Sequence, residues 1–247
     1  MLDRLFPSLG SFVGSFALAS PGGAAFERAG IAAGIVPAMP DRSVVNAVVY
    51  DDAAALEQAL PELADAYDRA GIDSWGVWLR PGDERAARAL TAAGSAFDSE
   101  PMAMARELAG VEGPGADELD LVADPSPAEV AEVLMPVYEW GGFDQAMRWY
   151  DDYHPYLARA DGRPAVTLGV HDREGDAYVT WVGTTERARG RGLASTLLRR
   201  ALADARERGC TTTTLVATRM GQPVYARLGY REFGRVQLWE RRRTPPA

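Results

Sequence analysis

The 247-residue sequence contains one cysteine, two histidines and no lysine. A single cysteine, Cys210, excludes an intrachain disulfide and favours a reducing compartment, so we expect a cytoplasmic protein. No apolar run approaches the length of about 18 residues that indicates a membrane span, so we expect no membrane partner. So few histidines and cysteines, without the spacing of metal ligands, argue against a bound metal. The remaining composition, 47% hydrophobic and 25% charged, is typical of a globular protein.

The first 20 residues are fairly apolar but do not predict a signal peptide. Asp3 stands where such a peptide would be basic, and Pro7 and Gly10 interrupt the apolar run. We expect an irregular arm that packs on the first domain.

Charge is distributed unevenly along the chain. Residues 185–247 carry 14 arginines against 5 acidic residues, a net charge of +9, whereas residues 1–184 carry 12 arginines against 30 acidic residues, a net charge of −18. The basic end favours an anionic ligand. The acidic remainder would repel a long polyanion, so we expect no nucleic-acid partner.

Hydrophobic periodicity predicts strands and helices on both sides of a glycine-rich stretch. The segments 79–94 and 216–229 both run from a strand end through a turn into a helix that ends in glycine, which indicates two related α/β lobes. We place the first lobe at 1–112, a linker at 113–118 and the second lobe at 119–247.

A loop rich in arginine and glycine joins the strand that ends near Thr184 to the helix that begins near Leu193. Its sequence, TTERARGRGLAS, interleaves Arg187, Arg189 and Arg191 with two glycines. Helix N-termini carry unpaired N–H groups and a partial positive charge, and glycines let the backbone approach an anion. The loop therefore predicts a phosphate cradle, and a pyrophosphate is the expected anion.

Two common nucleotide-binding patterns do not fit this loop. The pattern G-x-x-x-x-G-K-[ST] requires a lysine, which the chain lacks. The pattern G-x-G-x-x-G fails because Ser195 stands where its third glycine would be.

The spacing Arg187-x-x-Gly190-x-Gly192, between a strand and a long helix, resembles the acetyl-CoA loop of the GNAT superfamily of N-acetyltransferases. A second stretch, PVYARLGY, is similar to a family signature in which a tyrosine precedes a glycine and an aromatic residue. The resemblance spans roughly 120–240, while 1–112 resembles a degenerate lobe of the same fold. It implies an α/β (α+β) fold with tandem GNAT-like lobes, each a mixed, mostly antiparallel twisted sheet flanked by helices.

The resemblance also implies roles for individual residues. Acetyl-CoA is the implied co-substrate, and Tyr225 is the implied general acid that protonates the departing thiolate. Since a free phenol has a pKa of about 10 and a thiol one of about 8.5, a tyrosine near the sulfur can stabilise the developing anion by hydrogen bonding or by proton donation. The implied acetyl-CoA-binding residues are Val182, Thr184, Arg187, Arg189, Gly190, Arg191, Gly192, Ala194 and Thr218.

The implied reaction is the direct transfer of acetyl from acetyl-CoA to a primary amine of a small-molecule or peptide acceptor. Many family members carry a glutamate on the strand before the loop as general base, but AYVTWVGT has none. The candidates for the base are Glu139, Asp151, Asp152, His154 and a water relay. The alternative function is a non-catalytic acyl-CoA-binding sensor or interaction module. We expect a monomer or a homodimer.

Overall fold

The computed structural model describes residues 1–115 and 118–243. Two residues of the predicted linker, 116 and 117, and the last four of the predicted second lobe, 244–247, lie outside the described residues. The chain divides into two compact units. The C-terminal unit comprises Met1–Ser8 and Ala103–Phe233, and the N-terminal unit comprises Leu9–Met102 and Gly234–Ala247. The units interleave along the chain, whereas the sequence predicted contiguous lobes.

The N-terminal unit contains a six-stranded mixed sheet. Its strand order is β1-β2-β3-β4-β13-β5, and β3 and β4 are parallel. The strands are β1 (Ala24–Arg28), β2 (Ile31–Ile35), β3 (Ala47–Tyr50), β4 (Ser74–Leu79), β5 (Ala96–Ser99) and β13 (Gln237–Arg242). The helix α2 (Ala53–Arg69) joins the two parallel strands, and α3 (Glu84–Ala92) follows β4.

The C-terminal unit contains a seven-stranded mixed sheet. Its strand order is β12-β6-β11-β10-β9-β8-β7, and β10 and β11 are parallel. The strands are β6 (Met102–Glu107), β7 (Asp120–Leu121), β8 (Tyr153–Ala160), β9 (Arg163–Arg173), β10 (Asp176–Thr184), β11 (Thr212–Ala217) and β12 (Arg231–Arg235). The helices are α4 (Pro127–Tyr138), α5 (Phe143–Ala146), α6 (Leu193–Glu207) and α7 (Gln222–Arg227).

The two sheets share one pattern of connection. In each, a strand, a helix and a second parallel strand are followed by a shorter helix and an edge strand. In each, one further strand lies next to that edge strand: β13 beside β5 and β6 beside β12. Along the chain β6 follows β5 and β13 follows β12, so each of these strands pairs in a different sheet from the strand that precedes it. This arrangement confirms the predicted fold class of two mixed sheets flanked by helices.

The N-terminal segment is helical, so the predicted irregular arm is wrong. The helix α1 covers Leu2–Ala19 and contains Pro7. Its apolar side chains recur at helical spacing, and Leu5, Leu9, Phe12 and Phe16 are buried. Pro7 removes a single backbone hydrogen bond near the first turn, which this amphipathic burial outweighs. None of the helices in the described ranges is long and apolar enough to cross a membrane.

Candidate active site

The strand β10 is irregular in its second half. Its pairing with β9 is interrupted between Thr180 and Gly183, where Trp181 has a positive φ of 50°. Its parallel pairing with β11 ends at Val179. A bulge of this kind bends a strand and redirects its backbone groups. The end of β10 therefore separates from β11 and leaves an opening between the two strands.

The N-terminus of α6 lies just beyond this opening and carries no side-chain cap. A single 3₁₀ turn, Glu186–Ala188, follows β10 and leads to Gly190 and Gly192, whose φ angles are 75° and 76°. Such left-handed angles favour glycine. Gly192 is the N-cap, and the first helical amide to find a backbone acceptor is that of Thr196, at 3.1 Å from the Gly192 carbonyl.

The backbone amides of residues 190–195 have no protein acceptor among the described residues. Unpaired N–H groups at the start of a helix form a partial positive charge that an anion can occupy. The 15-residue length of α6 makes its dipole fully developed at this end.

The three arginines of the loop have different surroundings. Arg187 donates to two carbonyl oxygens of the β8–β9 hairpin, Ala160 at 3.2 Å and Pro164 at 2.8 Å. Arg191 forms an exposed ion pair with Asp161 at 2.8 Å. Arg189 donates through Nε to the Thr184 carbonyl at 3.3 Å, and its remaining guanidinium N–H groups have no partner among the described residues. Of the three, Arg189 is the one placed to contact a ligand.

One cavity of about 470 Å³ joins these features in the C-terminal unit. Of the predicted site residues, the structure brings together Val182, Thr184, Arg189, Gly190, Gly192, Ala194, Thr218 and Tyr225 along its wall. Arg187 and Arg191 are not among the residues that line it. The lining residues that sequence reasoning missed are Val137, Ala188, Leu193, Ser195, Met220, Gly221, Val224 and Arg227.

Among the missed residues, Arg227 and Met220 differ from the rest in being exposed. Arg227 lies two residues after Tyr225 on α7 and has no ion-pair partner in the described part of the chain. Met220 is 75% exposed, an unusual position for a large apolar side chain. The net positive charge of 185–247 was the only sequence signal for Arg227, and it did not single that residue out.

Tyr225 is buried at the cavity wall, with 8% of its surface exposed. Burial, and secondarily the neighbouring phenols of Tyr138, Tyr230 and Tyr178, hold the pKa of Tyr225 well above its usual value. The phenol is therefore protonated at neutral pH, and its hydroxyl donates to no other described residue. This leaves a buried proton donor facing the cavity.

The turn before Tyr225 depends on Gly221 and Thr218. The Gly221 amide donates to the Thr218 carbonyl at 3.0 Å and approaches the Thr218 hydroxyl oxygen at 3.3 Å. A Cβ atom at Gly221 would lie 2.8 Å from Cε2 of Tyr225, closer than packed atoms allow. Because the Thr218 oxygen accepts this bond, its hydroxyl proton is free to donate to a ligand in the cavity.

The candidate bases lie on other surfaces. Glu139 is exposed and is the left-handed C-cap of α4, with φ 57° and ψ 33°. Asp151 and Asp152 are exposed in a turn before β8. None of these three carboxylates, nor His154, is among the described residues that line the cavity.

His154 has a partner outside the cavity. Its Nε2 lies 3.3 Å from Oδ2 of Asp172, which also accepts from Nε of Arg208 at 2.6 Å. Burial alone would raise the pKa of Asp172, but the hydrogen bonds from His154 and Arg208 lower it to about 2. Asp172 is therefore ionised at neutral pH and holds His154 in place.

Metal and thiol chemistry find no support in the residues described. No group of three or more potential ligands among His, Cys, Asp and Glu lies together in the described ranges. Cys210 is buried, and burial raises the pKa of its thiol to about 12. A thiol that stays protonated is a poor nucleophile.

The bulged strand, the uncapped helix and the buried tyrosine all contribute to the wall of this one cavity. Residues 124–230 match the model of the acetyltransferase (GNAT) family. This part of the chain is therefore similar to GNAT acetyltransferases, which supports an acyltransferase enzyme. No curated protein sequence matches the chain significantly.

Solved structures resemble the chain over almost its whole length. A GCN5-related N-acetyltransferase from Kribbella flavida has 18% identity and a TM-score of 0.66, covering 98% of this chain and 95% of that one. A GCN5-related N-acetyltransferase from Sphaerobacter thermophilus has 19% identity and a TM-score of 0.60, covering 88% and 82%. A tandem GNAT protein from the clavulanic acid biosynthesis pathway has 14% identity and a TM-score of 0.55, covering 88% and 79%. At these identities the likeness establishes the fold of both halves.

Proposed function

We propose that this protein transfers the acetyl group of acetyl-CoA to a primary amine of a small-molecule or peptide acceptor, with Tyr225 as general acid. The observation that carries the proposal is the shared cavity. At one place in its wall are the unpaired amides of α6 and Arg189, and at another is the protonated phenol of Tyr225. A ligand with a phosphate at one end and a thioester at the other can engage both.

The residues of the cavity fit the parts of acetyl-CoA. Its pyrophosphate would accept from the amides of residues 190–195 and from Arg189, an arrangement that suits a doubly charged anion. The apolar lining residues Val137 and Val224 offer surface to the pantetheine arm. Val182 and Thr184, on the separated end of β10, offer backbone groups, and Thr218 offers a hydroxyl.

The chemistry proposed for the site is a single displacement without a covalent enzyme intermediate. The amine nitrogen attacks the thioester carbonyl, a C–N bond forms and the C–S bond breaks. Tyr225 hydrogen-bonds to the departing sulfur and donates its proton as negative charge develops there, and the resulting phenolate regains a proton, ultimately the one that the amine loses, before the next turnover. Since burial keeps the phenol protonated, the donor is available throughout the neutral pH range.

The proton lost by the amine requires an acceptor. Glu139, Asp151, Asp152, His154 and a water relay remain the candidates. Replacing each side chain singly with its amide, or His154 with Gln, tests them by the acidic limb of the kcat/KM profile. The variant that removes an apparent pKa from that limb identifies the base. If all four variants keep the limb, a water relay is the remaining candidate.

The Tyr225→Phe variant separates an enzyme from a non-catalytic acyl-CoA sensor. Thiol release from acetyl-CoA would be measured with a panel of amines, and acetyl-CoA affinity by calorimetry. We expect kcat to fall by about 100-fold, typical of losing a general acid, with affinity within twofold of wild type. An unchanged turnover would remove Tyr225 from the mechanism. A wild-type protein that binds acetyl-CoA and acetylates none of the amines would favour the sensor.

A further inference from the structure

The bulge in β10 is packed against α4. A Cβ atom at Gly183 would lie 2.9 Å from Cδ2 of Leu134 and 3.6 Å from Cγ1 of Val137. A larger residue here would require the Leu134 side chain to shift, so the strand and the helix are closely packed at this point. Val137 itself lines the cavity, so the last turn of α4 contacts both the bulge and the ligand space.

The last residue of α4, Tyr138, bonds directly to the bulge. Its hydroxyl donates to the Val182 carbonyl at 3.3 Å. Val182 lies in the interrupted stretch of β10, directly after Trp181 with its positive φ. An irregular strand segment has fewer ladder partners, so a side-chain donor contributes more to holding its backbone.

The ring of Tyr138 is fixed by other aromatic residues. Ring centroids lie 5.1 Å away for Trp140, 6.0 Å for Phe143 and 6.1 Å for Trp181, the last in an edge-to-face arrangement. Phe143 and Trp181 are themselves 5.1 Å apart. Because burial raises the pKa of Tyr138 to about 12, its hydroxyl keeps its proton and acts as a donor throughout the neutral pH range.

We propose that Tyr138 is a positioning residue for acyl transfer, whose hydrogen bond to the Val182 carbonyl fixes the bulge of β10 in the shape that aligns the thioester with Tyr225. The inference rests on the proposed function, since it assigns the bulge to the reacting end of the ligand. Val182 and Tyr225 line the same cavity, so a change in the Val182 backbone alters the wall of the space that the acid faces. Small displacements of reacting groups reduce the rate far more than they reduce binding.

The test uses Tyr138→Phe, which keeps the ring and removes the donor. We expect kcat to fall by about 10- to 100-fold, with KM for acetyl-CoA within about twofold of wild type. Amide hydrogen exchange supplies a second readout that does not require turnover. We expect faster exchange at residues 180–184 and unchanged exchange in the interior of α6.

Tyr67→Phe is the matched control. Tyr67 is a buried tyrosine of the N-terminal unit whose hydroxyl donates to the Gly34 carbonyl at 3.1 Å. The same chemical change is made there, away from the cavity. This variant should lower the unfolding temperature as much as Tyr138→Phe does, while leaving kcat and exchange at 180–184 unchanged.

Each outcome decides the inference. A kcat that stays within twofold in Tyr138→Phe, or falls equally in both variants, overturns it. If the wild type shows no transfer to any amine, the proposed function fails. Hydrogen exchange then still tests whether Tyr138 holds the bulge of β10. Faster exchange at 180–184 would support the positioning of the bulge by Tyr138, and unchanged exchange would overturn it.

Discussion

Each unit contains a strand, a helix and a second parallel strand, but the two helices begin differently. In the N-terminal unit, Asp52 caps α2, and its carboxylate accepts from the amides of Ala54 at 2.8 Å and Ala55 at 3.0 Å. In the C-terminal unit, Gly192 caps α6 without a side-chain bond. The first helix start is occupied by its own negative charge, and the second is available to an anion.

The shorter helices that come next, α3 and α7, also differ in the residue that each carries four positions before its terminal glycine. Leu90 on α3 stands four residues before a terminal glycine, as Tyr225 does on α7, and it is completely buried. Tyr225 faces the cavity with a protonated hydroxyl. Equivalent positions in the two units therefore hold a core residue in the N-terminal unit and a candidate catalytic residue in the C-terminal unit. This contrast supports the interpretation of the N-terminal unit as a lobe without its own acyl-CoA site.

Giving α6 the kind of cap that α2 has should have the largest effect. Gly192→Asp would place a carboxylate at the amides proposed to hold the pyrophosphate, and we expect acetyl-CoA to bind about 100-fold more weakly. Calorimetric titration measures this. Gly192→Asn is the control, because it imposes a similar backbone strain and a neutral cap. Equal losses in both variants would mean that strain, rather than anion exclusion, weakens binding.

The arginines of the loop allow the role of single side chains at the α6 N-terminus to be compared. We expect Arg189→Gln to weaken acetyl-CoA binding by about tenfold, the value of one charge-assisted hydrogen bond. Arg191→Gln removes the same charge from an exposed pair with Asp161 and should change affinity by less than about twofold. Salt titrations of both variants should show a reduced salt dependence for Arg189→Gln alone. Similar losses at both positions would show that the loop acts through its total charge.

The smallest effect is expected at the cap of α2. Asp52→Ala removes an N-cap and should lower the free energy of unfolding by about 1 kcal/mol, measured by urea denaturation. Acetyl-CoA affinity should be unchanged, because this helix end lies in the N-terminal unit and the cavity of the candidate site lies in the C-terminal unit. A large change in affinity would contradict the division of roles between the units.

The local parts of the site could be predicted from the sequence. Glycines at left-handed positions, the strand before them and the amphipathic helix after them are encoded within about a dozen neighbouring residues, so the uncapped start of α6 was accessible to sequence reasoning. The repeated connection pattern also indicated two lobes of one fold. Whether the cradle residues bind acetyl-CoA stays a prediction.

The remaining features depend on distant residues. The three arginines of the loop differ in their surroundings because of residues more than 20 positions earlier in the chain. Arg187 donates to the carbonyls of Ala160 and Pro164, and Arg191 pairs with Asp161. The sheet in which β6 and β13 pair is set by tertiary contacts. Local sequence predicts that each segment is a strand, but it does not predict which sheet the strand joins. The bond from Tyr138 to Val182 spans 44 residues and has no local signal. The helix α1 did have one, the apolar spacing from Leu5 to Phe16, which the interruptions at Pro7 and Gly10 obscured.

The most direct test of the central claim is thermal unfolding with and without acetyl-CoA, with ATP and NAD as controls. A ligand at about 100 times its dissociation constant stabilises the folded state by about 2.7 kcal/mol, which should raise the unfolding midpoint by several degrees. We predict this shift with acetyl-CoA, a much smaller one with ATP or NAD, and its loss in Gly192→Asp. An unfolding midpoint that acetyl-CoA leaves unchanged would contradict the assignment of the α6 cradle to this ligand.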